Sequence, residues 1–106
     1  MKHYAIANLR NVHLGADITA YLERIDATLA PYDGHFIVHG GEPEYIEGTW
    51  DGTLIVVEFP DYENARSWYD SPAYQEIVHL RTDNSEGVTM IVEGVDRTHK
   101  ATDVLG

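Results

Sequence analysis

The chain has 106 residues, with 18 acidic against 7 basic side chains and a formal charge of −11, enough for one domain around a single modest core. That charge repels nucleic-acid phosphates and anionic lipid headgroups, and the absence of cysteine removes disulfides, thiolate metal sites and thiol nucleophiles. With no signal-peptide pattern and no apolar run near the ~20 residues of a membrane span, a soluble, cytoplasmic protein is expected, with no nucleic-acid and no membrane partner.

Residues 3–9 alternate as a strand does, and Asn11 to Gly15 supply a connection. From Asp17 onward, Ile18, Leu22, Ile25 and Leu29, with Tyr21 beside them, form one face of an amphipathic helix. Asp17 is the expected cap, and Pro31 and Gly34 the stop. His35 to His39 predict a second strand, closed by Gly40-Gly41. Pro43, Gly48 and Gly52 then mark a long irregular connection, with a short strand expected at Tyr45 to Glu47.

Thr53 to Phe59 predict a third strand in which Leu54, Ile55, Val56 and Val57 run without polar interruption. A strand with one wet face alternates, so this run implies burial on both faces. Helices cover one face, and in a chain this short a second copy of the chain is expected on the other.

Pro60 ends that strand because it has no N–H for the ladder, and Asp61 caps the next helix. Ser71-Pro72 repeats the device for a helix running to about Thr82. Asp83 to Gly87 form a turn, and Val88 to Glu93 a last strand with Val88, Met90 and Val92 on one face and Ile91 on the other. The order β-α-β-β-α-α-β predicts an α+β, ferredoxin-like domain: a four-stranded antiparallel sheet, order 4-1-3-2, with helices on one face. Residues 1–94 form this domain and residues 95–106 a C-terminal tail.

These residues carry a resemblance. Tyr4-Ala5-Ile6-Ala7, Tyr32 with Gly34, Val38 with Gly40-Gly41, Glu47-Gly48 and Trp50 stand in the order of one family's pattern. Glu58-Phe59-Pro60, Ala65, Trp68-Tyr69, Ser71, Tyr74, Arg81 and Glu93-Gly94 continue it. Over residues 3–94 the sequence resembles the domain-of-unknown-function 1330 family of the dimeric α/β-barrel superfamily. It departs from the pattern at Asp33, where Gly is usual, and at His39, where Arg is usual. The resemblance implies a homodimer with sheets packed face to face and a pocket between each sheet and its helices. The superfamily includes cofactor-independent monooxygenases, small-molecule isomerases, dechlorinases and haem-handling proteins, and fold alone does not choose among them; no cofactor is expected.

Several side chains bear on chemistry. His35 and His39, four apart on one strand, share a face but lie roughly 13 Å apart, too far for one metal ion, and no metal site is expected. Glu58 shares a strand face with Leu54 and Val56, with Tyr4 and His35 its expected neighbours across the sheet. Asn8 and His39 finish the first two strands at the other end. Glu58 reads either as a strand-end carboxylate satisfied by an amide or Arg, or as a general base; His39 as a solvated edge histidine or as a pocket acid/base. Trp68 and Tyr69 read as core or as pocket walls. Tyr74 and Arg81, two turns apart on one helix face, aim a phenol and a guanidinium the same way. Arg81 suits a carboxylate or enolate, or else an ion pair with Glu58, Glu76 or the partner.

The leading expectation is a homodimer binding a small organic ligand in which Asn8, Trp68, Tyr69, Tyr74 and Arg81 contact an acidic or enolisable metabolite and His39 or Glu58 moves a proton. A non-catalytic ligand-binding or accessory dimer is the alternative.

Overall fold

The computed structural model describes residues 1–106. Its elements are β1 (His3–Arg10), α1 (Ala16–Leu29), a 3-10 turn (Ala30–Tyr32), β2 (His35–His39), β3 (Thr53–Phe59), α2 (Tyr62–Asp70), α3 (Pro72–Thr82), β4 (Glu86–Glu93) and a C-terminal 3-10 turn (Ala101–Leu105). The strands form one antiparallel sheet in the order β2-β3-β1-β4. This is the expected ferredoxin-like order, read from the other edge.

Two helix starts follow the local rules. Asp61 accepts the Asn64 amide at 2.8 Å, and Ser71 accepts the Tyr74 amide at 3.2 Å with Pro72 opening α3. Asp17 does not cap α1. Gly15 holds the cap position with no side-chain bond, and Asp17, the second residue of the helix, accepts from the Asn84 side chain at 3.1 Å, pinning α1 to the turn after α3.

No strand forms at Tyr45 to Glu47. That segment bonds within its own loop, Tyr45 Oη donating to the Trp50 carbonyl at 3.2 Å, rather than to a sheet edge. Strand β4 begins two residues before Val88 because Gly87, at φ 145°, brings its backbone where any Cβ would collide with the Asn8 carbonyl.

Register sorts the sheet into two faces. Tyr4 pairs with Glu58 and Val92, Ile6 with Val56 and Met90, and Asn8 with Leu54 and Val88, so these residues share the face away from the helices. Val88, Met90 and Val92 stand there 56%, 48% and 40% exposed. On the other face Ala5, Val57 and Phe59 meet Tyr21, Ile25 and Leu29 of α1, Ala65 and Trp68 of α2, and Tyr74 and Ile77 of α3.

Strand β2 changes face partway. His35 pairs with Glu58 and Phe36 with Val57, but the register then slips, so that Val38 pairs with Val56 and His39 with Ile55. A bulge adds one residue to one strand only and reverses the alternation beyond it. His35 and His39, expected on one face, therefore lie on opposite faces.

Candidate functional site

A cavity of about 450 Å³ lies between the sheet and the helices, lined by residues from all four strands and all three α-helices. Fifteen of its 20 lining residues are hydrophobic. Its polar groups are few: His39, Thr53, Arg81 and Thr89, with the Tyr21 and Tyr74 hydroxyls and the Trp68 indole.

Trp68 is one wall. Its helix buries it beside Ala65, and its ring lies 5.5 Å from Phe59 and 4.1 Å from Tyr74, centroid to centroid. The indole N–H donates to Thr28 Oγ1 at 3.0 Å, and that hydroxyl donates to the Ile25 carbonyl at 2.6 Å. Trp68 thus contributes shape and leaves no free donor to a ligand.

Tyr74 and Tyr21 form a buried pair, hydroxyl to hydroxyl at 2.7 Å. Burial, reinforced by the adjacent Tyr74 hydroxyl, pushes the Tyr21 phenol far above its ordinary pKa, so it stays neutral and keeps its proton. Tyr21, which its helical spacing places among the packing residues of α1, belongs to the site. The available signal was a phenol in an otherwise aliphatic stripe, since a buried tyrosine needs a partner for its hydroxyl.

Arg81 stands beside this pair, only 9% exposed, its guanidinium 6.0 Å from the Tyr21 ring centre. Burial alone lowers its pKa, but the Tyr74 and Tyr21 phenols overcome this and raise it, so the cation persists. None of the ion pairs in the molecule includes Arg81. The two acids considered for it are engaged elsewhere: Glu58 with Lys2 at 3.1 Å and Glu76 with Arg24 at 3.6 Å.

His39 reaches the same cavity from β2, its ring stacked on Phe36 at 4.4 Å with planes 17° apart. Three expected site residues do not reach it. Glu58 lies on the opposite sheet face, because alternation on β3 puts Val57 and Phe59 toward the helices. Asn8 also points to that face, where its Oδ1 is buried without a hydrogen-bond partner. Tyr69 packs outside the lining, 6.1 Å from the Trp68 ring and beneath the Arg66 guanidinium at 5.8 Å. No three His, Asp or Glu side chains converge in a way that would hold a metal ion.

The family model described as a domain of unknown function (DUF1330) matches residues 2–95. Among solved structures, the methylated RPA0582 protein of Rhodopseudomonas palustris aligns with a TM-score of 0.69 at 14% identity, covering 92% of this chain and 84% of that one. SnoaB, a cofactor-independent oxygenase from Streptomyces nogalater, aligns with a TM-score of 0.59 at 16% identity, covering 94% of this chain and 100% of that one. A dimeric ferredoxin-like protein of unknown function from Jannaschia sp. CCS1 gives 0.57 at 14%, with 85% and 98% covered. No curated protein matches. At such identities the likeness concerns the fold, which is ferredoxin-like throughout.

Proposed function

On the footing that the chain belongs to the family described as a domain of unknown function (DUF1330), we propose that it is a homodimeric small-molecule protein whose cavity takes an acidic or enolisable metabolite. Arg81 and Tyr74 hold the anionic or carbonyl end, and Trp68 forms the wall beside it. The single observation carrying this reading is Arg81: a buried cation in an apolar cavity, with no carboxylate of its own chain as partner. A buried cation faced by phenols and by no carboxylate keeps part of its desolvation cost, and a ligand anion offsets that cost. The reading places the protein in the cytoplasm, where a chain without cysteine needs no oxidising compartment.

In its catalytic form, His39 takes a proton from carbon next to a carbonyl while the enolate oxygen rests on Arg81 and Tyr74. Proton transfer, isomerisation and cofactor-independent monooxygenation all begin with such an anion, and the fold shared with SnoaB supports this form. The alternative is an accessory dimer that binds without turnover. It is favoured by the place of Glu58 on the far face, which leaves His39 as the one imidazole or carboxylate in the lining.

Dimerisation has its own support. The face of Val88, Met90 and Val92 is apolar and uncovered, and the radius of gyration, 15.1 Å, exceeds the ~13 Å of a compact domain this size. A second copy packed on that sheet face covers the first feature and adds the burial that a chain this extended lacks by itself.

The test combines thermal stabilisation by a panel of organic acids and 1,3-dicarbonyls with proton exchange in D2O followed by NMR. Stabilisation with exchange that His39→Ala abolishes supports the enzyme, and stabilisation without exchange supports the binder. A panel that stabilises neither the wild type nor any variant overturns the cavity as a binding site.

A further inference from the structure

Resting on that reading, the donor inventory of the cavity narrows the ligand. In the Tyr21–Tyr74 pair one hydroxyl donates and the other accepts, so the accepting phenol keeps a proton for a third group. The Arg81 guanidinium adds a planar fork of N–H donors that no carboxylate receives, since the lining contains no Asp or Glu. Around this corner, donors outnumber the acceptors the chain supplies. Away from it the lining is mostly aliphatic and aromatic, with Ile18, Ile25, Ile55, Val57 and Phe36 prominent and His39, Thr53 and Thr89 the polar exceptions.

We infer that the ligand is a monocarboxylate on an apolar, ring-sized body, and that Tyr21 is a binding residue alongside Arg81 and Tyr74. A carboxylate presents two coplanar oxygens that match the guanidinium fork and leave lone pairs for the phenol. A phosphate ester or a dicarboxylate brings a second charge, and the lining offers no Lys and no second Arg to meet it. The chain's charge of −11 further disfavours a dianion at the mouth. The volume, about 450 Å³, falls within the roughly 300–1,000 Å³ of ordinary small-molecule sites.

The experiment is isothermal titration of the full chain with three probes sharing one body: 2-naphthoate, methyl 2-naphthoate and 2-naphthyl phosphate. The expected result is that naphthoate binds wild type at least about tenfold tighter than the ester or the phosphate, the scale of one hydrogen bond to a charged group. Arg81→Met removes the preference for acid over ester. Tyr21→Phe narrows it several-fold while ester binding persists, which also shows that the variant is folded. Ester and acid binding equally to wild type, or phosphate binding tightest, overturns the carboxylate assignment and leaves the cavity reading standing. Failure of all three probes to bind wild type overturns both.

Discussion

The rings of Phe36 and His39 stack at 4.4 Å, although two residues three apart on a regular strand point to opposite faces. The slip between Phe36 and Val38 makes this possible, with Ile37 left 51% exposed at the bulge. It sets the imidazole, still exposed, at the edge of the cavity and away from Glu58. Ligand binding and any turnover are therefore expected to change with His39→Ala and not with Glu58→Gln. Glu58→Gln removes only an exposed ion pair to Lys2, worth under about 1 kcal/mol. Equal sensitivity of turnover to both substitutions would contradict the separation of the two faces.

Thr28 is expected to matter through a single oxygen, which accepts from the Trp68 indole and donates to the Ile25 carbonyl. Thr28→Val keeps the shape and strands a buried N–H, a loss of about 1–3 kcal/mol. Thr28→Ser restores most of it. Urea unfolding of the three proteins checks this, and a Val variant as stable as Ser would show that the indole needs no partner.

Gly34 sits where an added Cβ would lie 2.7 Å from a Phe59 ring carbon and 2.8 Å from a Leu29 methyl. Both neighbours are buried, at 0% and 2% exposure, and cannot step aside. Gly34→Ala is expected to lower stability by about 1–3 kcal/mol through overpacking, read as a fall in the denaturation midpoint with an unchanged slope. An unchanged midpoint would mean that this part of the core yields.

The Asp61 carboxylate is held below its ordinary pKa of 3.8, first by the Asn64 backbone amide and then by the Asn64 side chain. A depressed folded pKa gives stability that is present above 3.8 and lost as pH falls through the lower folded value. The advantage of wild type over Asp61→Asn, which keeps the cap but not the charge, is therefore expected to shrink as pH drops from about 5 toward 2. A difference constant across that range would refute the assignment.

The uncovered sheet face leads to a mass prediction. Sedimentation at micromolar concentration is expected to give about twice 11.9 kDa, and Met90→Lys, which places a charge at the middle of that face beside Ile6, to give the monomer. A wild-type monomer would defeat the homodimer.

Much of this architecture follows from local chemistry. Pro60 with Asp61, and Ser71 with Pro72, dictate where β3 stops and α2 and α3 start, because a missing N–H and a capping oxygen act over a few bonds. The alternation and the order of the elements likewise predict the order of the strands, and the apolar run of β3 points to a cover on its far face, where Leu54 and Val56 are half-buried. The helical spacing of Tyr74 and Arg81 puts both on one face, and the structure opens that face onto a single cavity. What tertiary structure alone decided is which strand residues join them. One extra residue in β2 turned His39 inward, strict alternation in β3 and β1 turned Glu58 and Asn8 outward, and the packing of α1 against α3 brought the Tyr21 hydroxyl to Tyr74. Facing depends on register and on contacts between distant segments, and a one-residue shift reverses it without altering any local propensity.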